Sequence, residues 1–270
     1  MHLETYFCQS IHHLHDGEFV TVTLPSPEQR LERTGLEWGD ACILMTPAYW
    51  SSQSWIWEKE APEHYRLGRT LAEELIACLL GGYGIPAEVG LAAYERLRKV
   101  GSDDPELLKD ADKVEKLLIE PLWVHDRAVR YRFAKQKSRY LALAMQQLTT
   151  IDDQADDVDL RDNLCSLKGI GPKTASWIVR NWRGSDQVAI LDIHILRTGR
   201  ILGLFGEDLS VEKHYGEIER LFLDFAKDIK AKASILDSVI WMTTRPNRGV
   251  KRSQPAPATP KLPQLELALK

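Results

Sequence analysis

Two residues in this chain have the types and the setting for covalent chemistry. Lys173 sits in Gly169-Ile170-Gly171-Pro172-Lys173, and Asp192 follows nineteen positions later in Val-Ala-Ile-Leu-Asp-Ile-His. An amine beside a carboxylate forms a nucleophile pair when the fold brings them together. The plainer role for Asp192 is a helix N-cap, because an apolar run ends there and Ile195, Leu196, Gly199 and Leu202 continue at helical spacing.

The elements around Lys173 read as helix, two-glycine hairpin, helix. Leu160, Leu164 and Leu167 recur at i, i+4 and i+7, Gly169 and Gly171 interrupt them, and Pro172 stands where a new helix can begin without its N–H. Ala175, Ile178 and Val179 then share one face. Unpaired amides at the start of the second helix make a phosphate site. A nucleotide-binding P-loop is excluded by spacing, since Pro172 separates Gly171 from Lys173-Thr174. A helical turn without a ligand is the competing reading of the hairpin taken alone.

With both segments quoted, Leu-Lys-Gly-Ile-Gly-Pro-Lys-Thr-Ala and Leu-Asp-Ile-His-Ile-Leu-Arg, the chain resembles the helix-hairpin-helix DNA glycosylase superfamily. The resemblance implies a mostly α, two-lobed helical fold. It gives Lys173 and Asp192 the catalytic roles of a glycosylase with lyase activity. It assigns Gly169, Gly171, Thr174 and His194 to DNA binding. Segment 130–140 (RYRFAKQKSRY) resembles the archaeal-type 8-oxoguanine glycosylases and adds Arg132 and Lys137 to the DNA-binding set. Tyr83, in Gly-Gly-Tyr-Gly, falls where a family residue enters the duplex behind an extruded base; a C-cap turn is the alternative. Asp237, Trp241 and Met242 lie in a stretch similar to the closing helix of that class, and the base pocket is expected there, with a core position as the other reading of Trp241.

Composition limits the partners. Net charge is −4, from 35 basic and 39 acidic residues, which argues against indiscriminate nucleic-acid binding but allows a local site. Segment 127–139 carries six basic residues and no acid; a solvated helix face is its other reading. There is no run of 18 apolar residues, so no spanning helix is expected, and the N-terminus lacks the pattern of a secretion signal. The four cysteines are scattered and none follows Cys165, so the iron–sulfur loop that ends endonuclease III has no ligands here. No cofactor is expected, apart from a monovalent cation that hairpins of this family hold. The expected partner is double-stranded DNA with a damaged base, and the expected state is a cytoplasmic monomer.

Three regions follow. Residues 1–62 are expected to be an N-terminal embellishment with short strands, Glu18–Leu24 being one and the apolar stretch 41–46 another candidate. His12, His13, His15 and Asp16 suggest either a metal or a solvated turn, and the latter is favoured. Trp50, Trp55 and Trp57 are expected as core or domain-contact residues. Residues 63–245 are the glycosylase core, helical from Tyr65, with a charged, surface-exposed segment at 103–120. Residues 246–270 are Pro-rich and read as a flexible tail.

Overall fold

The computed structural model describes residues 8–60, 65–82 and 84–245. Tyr83 and the tail from residue 246 lie outside them. The chain opens with a hairpin of β1 (Gln9–His15) and β2 (Glu18–Leu24), antiparallel with Ile11 opposite Val22 and His13 opposite Val20. Asp16 and Gly17 form its turn with φ of 51° and 82°, the left-handed pair that a two-residue hairpin requires. Residues 41–46 are not a strand. Thr46 Oγ1 donates to the Asp40 and Ile43 carbonyls, and these local bonds fold the apolar stretch into turns with Ile43 and Leu44 exposed. Helix α1 (Pro47–Glu60) follows, with Trp50 fully buried.

Helix α2 (Leu71–Leu80) begins six residues later than Tyr65, where sequence periodicity starts the helix. Thr70 caps it by accepting from the Glu73 amide. Glu74 turns its carboxylate back onto the Leu67 and Gly68 amides, at 2.8 and 2.7 Å, and those bonds hold the preceding residues in an open loop. Then come α3 (Ala87–Asp103), a short 3-10 turn, α4 (Ala111–Ile119), a small hairpin of β3 (Leu122–Val124) and β4 (Arg127–Val129), α5 (Ala134–Gln147), α6 (Asp157–Cys165) and α7 (Pro172–Arg183). Segment 103–120, expected on the surface, buries Val114 and Leu118 completely, because the apolar stripe of α4 faces inward beneath its charges. The basic segment 127–139 is β4, a loop and the first turns of α5 rather than one helix face. Its Tyr131 is buried, and its hydroxyl donates to the Leu80 carbonyl.

Helices α8 (Ile193–Leu202), α9 (Tyr215–Asp228) and α10 (Ala233–Thr244) complete the chain. Two cores result. One gathers α2 to α7 around Leu75, Leu97, Leu118, Leu141, Leu164 and Ile178. The other gathers α1 and α8 to α10 around Trp50, Ile195, Phe222, Phe225 and Leu236. The chain passes from the second core to the first between α1 and α2 and returns in one step, Val188 belonging to the first core and Ala189 to the second.

The N-terminal segment is more than an embellishment. Leu24, Leu31, Trp38 and Trp50 are part of the second core, so the lobe contains both ends of the described chain. A buried carboxylate ties it down. Asp228 accepts from the Arg33 and Thr34 amides, the Thr34 hydroxyl and the Arg33 guanidinium, all between 2.8 and 3.2 Å. Burial alone would raise its carboxyl; the hydrogen bonds outweigh that and hold it below the usual aspartate value. A carboxyl lowered on folding contributes stability that is complete above its unfolded pKa and fades as pH falls through the folded one. Asp228→Asn is therefore expected to lower Tm clearly at pH 7 and much less near pH 3. Thermal melts of both proteins at the two pH values check this.

Candidate active site

The hairpin between α6 and α7 is fixed from within and open to the outside. Leu167 and Ile170 are buried in the first core. Gly169 has φ of +89°, and a Cβ there would lie 2.2 Å from the Tyr140 ring of α5. Both the backbone conformation and this close approach require glycine. Gly171 is the N-cap of α7 and supplies no side-chain cap, Pro172 takes the first helical position, and open space surrounds the Gly171 Cα. The amide end of α7 is thus left for an anion. Beside it, Lys135, Gln136, Arg139 and Tyr140 of α5 line an open recess of about 330 Å³. The recess and the hairpin share Tyr140.

Lys173 follows Pro172 and projects from this end of α7, half-buried. Its Nζ lies 3.9 Å from Asp192 Oδ2. Asp192 divides its oxygens between two tasks. Oδ1 accepts from the His194 and Ile195 amides at 2.8 and 3.1 Å and caps α8. Oδ2 faces the lysine. Asp192 thus caps α8 and lies beside the lysine at once, and the cap fixes the orientation of the carboxylate. The pair takes one member from each lobe, brought together at the N-termini of two helices.

The backbone leading to Asp192 is in neither helix nor strand, with no strand partner among the described residues. Val188, Ala189 and Leu191 are buried and Ile190 is partly so, and backbone amides in such a place need partners. Ala189 N donates to Glu219 Oε1 at 2.9 Å, Ile190 N reaches Asp237 Oδ2 at 3.4 Å, and Leu191 N reaches the Tyr215 hydroxyl at 3.3 Å. That hydroxyl donates in turn to the Ala189 carbonyl at 2.6 Å. The same carboxylates hold α7. Ser176 Oγ is 3.4 Å from Glu219 Oε1, and Arg180 Nη2 is 3.4 Å from Asp237 Oδ1. Ser176 and Arg180 stand at i and i+4, on the face that α7 turns to the second lobe. Arg161 of α6 completes the arrangement, with Nη1 2.6 Å from Glu219 Oε2. Lys173 and Asp192 are therefore registered through buried polar bonds on both sides of the lobe junction.

The remaining residues singled out in the sequence divide into several groups. Thr174 is half-buried beside Lys173 on α7. Arg132 is exposed and its guanidinium stacks over Phe133 at 5.1 Å, facing Gly84 at the end of the glycine-rich loop. Lys137 is half-buried on α5, and burial holds its ammonium below the usual lysine value. His194 turns its ring to α10, with Nδ1 3.0 Å from the Thr244 hydroxyl. Trp241 is 39% exposed, so it is not a core residue; Arg245 lies 4.6 Å over its ring. Met242, next to it, is half-buried. Asp237, expected to meet an extruded base, is instead 3% exposed and bonded to Arg180, Ser238 and the Ile190 amide. Burial pushes its carboxyl up, against the opposing pull of Arg180. Its place is in the frame of the site. Sequence reasoning missed Glu219, Tyr215, Arg161 and Arg180. The available signal was a charged residue among apolar neighbours, as in Ile218-Glu219 and Ile178-Val179-Arg180.

A glycine hairpin opening a helix, a lysine at its start and a capping aspartate across a two-lobed helical body define the helix-hairpin-helix DNA glycosylase class. Residues 68–231 match the family described as 8-oxoguanine DNA glycosylase, Ogg-HhH, and the chain belongs to that family. It is 27% identical over 195 residues to an 8-oxoguanine DNA glycosylase/AP lyase of Metallosphaera sedula, covering 67% of this chain and 88% of that one. The 8-oxoguanine DNA glycosylase of Methanocaldococcus jannaschii superposes with a TM-score of 0.50 at 29% identity, over 64% of this chain and 77% of that one. The enzyme of Thermotoga maritima gives 0.50 at 25% identity, over 65% and 79%.

The frame makes a prediction of its own. Glu219→Gln leaves Arg161 short of a buried partner, and breaking such a pair costs about 3–5 kcal/mol. The variant is expected to lose about that much unfolding free energy, with a lower urea midpoint, and to remove base more slowly at temperatures where it is still folded. Urea melts and single-turnover assays check the two effects separately.

Proposed function

We propose that this chain is a bifunctional 8-oxoguanine DNA glycosylase/AP lyase of base-excision repair. The observation that carries the reading is the Lys173–Asp192 pair, at 3.9 Å on the hairpin of the family's fold. A DNA-binding hairpin alone needs neither residue. The names of the relatives support the substrate.

The chemistry follows from the two groups. The target base must leave the stack, at a cost of a few kcal/mol, which phosphate contacts at the α7 amides and the Lys135–Arg139 recess help to offset. As the bond from C1′ to the base breaks, positive charge builds on the sugar, and the Asp192 carboxylate stabilises it. The Lys173 amine forms a bond to C1′ and gives up its proton, for which Asp192 Oδ2 is an adjacent acceptor. Ring opening yields an iminium. Loss of a C2′ proton then expels the 3′ phosphate by β-elimination, and water releases the lysine. These steps balance with protons and water alone, so the reading includes no cofactor beyond a monovalent cation at the hairpin carbonyls. Arg132 and Lys137 would contact the backbone, and Trp241 and Met242 would border the base. Both catalytic groups come from one chain, which fits a monomer working in the cytoplasm where the DNA lies. No helix among the described residues is long and apolar enough to cross a membrane.

Borohydride trapping on duplexes with a single lesion tests the proposal. Wild-type protein is expected to form an adduct on 8-oxoguanine, and Lys173→Gln to form none while still binding the duplex. Asp192→Asn, which keeps the cap, is expected to slow base release on the order of 10²–10⁴-fold. Trapping on an abasic site but not on 8-oxoguanine would move the assignment to another base, and no trapping at all would leave only DNA binding.

A further inference from the structure

The hairpin at the start of the chain holds a cluster that base removal does not use. Side chains alternate along β1, so His13 and His15 share the face turned to the protein while His12 and Leu14 point away. Glu60, the last residue of α1, reaches both rings. Its Oε1 lies 3.0 Å from His13 Nε2 and 3.8 Å from His15 Nδ1. One donor atom from each of the three residues falls within 4.8 Å of the others. The two imidazoles stack at 6.3 Å between centroids, and the Trp55 ring packs edge-on against His13. On the far side of His15, Nε2 is 3.6 Å from Asp16 Oδ2. A carboxylate behind a histidine, opposite the nitrogen that faces the centre, is the outer partner that metal-binding histidines use.

We infer that His13, His15 and Glu60 form a binding site for a divalent cation of the zinc type. Two imidazoles and a carboxylate suit a borderline ion in four-fold coordination, with water in the fourth position. Bonds of about 2.0–2.1 Å place tetrahedral ligand atoms about 3.3–3.5 Å apart. The two contacts to Glu60 lie on either side of that spacing, so small side-chain rotations bring the three donors onto one ion. Glu60 is half-exposed and leaves the ion a path from solvent. The ion would clip the tip of the β1–β2 hairpin to the C-terminal end of α1. These residues lie outside the 68–231 stretch that matches the family. The Asp16–Gly17 turn matters here, because it closes the hairpin with His15 and its outer partner adjacent.

The test uses the full chain carrying no histidine tag. Titration with zinc chloride, followed by calorimetry, is expected to show one equivalent bound, with zinc raising Tm. In His13→Gln/His15→Gln the affinity is expected to fall on the order of tenfold or more, and Tm to lose its response to zinc. Cobalt(II) should give the visible bands of a four-coordinate nitrogen and oxygen site. Zinc uptake that is unchanged in the double variant would overturn the inference. So would a thiolate charge-transfer band, which would send the ion to the exposed Cys8 or Cys42. Glu60→Gln gives an independent check, since it keeps a hydrogen-bonding side chain at the C-terminal end of α1 and is expected to weaken binding alone. Base excision is expected to be unchanged in all these variants, because none of the three residues belongs to its machinery. If wild type binds no zinc, the cluster is one histidine hydrogen-bonded to a glutamate beside a second ring, and the inference fails.

Discussion

A short run of largely buried backbone, with no strand to pair with among the described residues, sets the main constraint on this structure. The run from Val188 to Leu191 crosses between two cores, with Val188, Ala189 and Leu191 buried and Ile190 partly so. An unpaired buried amide costs about as much as a lost hydrogen bond, so side chains have to supply the partners. Glu219, Tyr215 and Asp237 do so from α9 and α10. Placing two carboxylates there creates a second demand, for buried positive charge, which Arg161 and Arg180 meet from α6 and α7. The helix bearing Lys173 is thereby bound to the segment that ends at Asp192.

The Lys173–Asp192 pair also draws on elementary helix physics. Both members stand at helix N-termini, where amides are unpaired and the dipole is positive. At α7 that end is left open, toward an anion; at α8 it is filled by Asp192 itself. The same local rule thus yields a binding surface in one place and a fixed carboxylate in the other. Gly169 and Tyr140 join the first of these to α5, so the hairpin and the basic recess beside it form one surface.

Much of this was legible in the sequence because the signals were local. Glycines and Pro172 mark the hairpin, and Asp192 ends an apolar run, so the pair and its helices could be placed from spacing. The frame was not legible, since charged residues such as Glu219 and Arg180 read as solvent-facing unless their partners, distant in sequence, are known. Asp237 shows the same difficulty. Its spacing from Trp241 puts both on one side of α10, but Arg180 draws the aspartate inward while the tryptophan stays near the surface. The start of α2 was misplaced because Glu74 binds backbone ahead of its own helix, a bond that periodicity does not register. The N-terminal segment contributes to the second core through single residues, Leu24, Leu31, Trp38 and Trp50, without a repeating pattern for the sequence to display.

The lobe crossing at residues 188 and 189 has a mechanical side. Since Lys173 belongs to one lobe and Asp192 to the other, the gap between amine and carboxylate gauges the angle between the lobes. The frame around Glu219 and Asp237 then works as a spacer, setting that angle, and with it the 3.9 Å gap, within the protein itself.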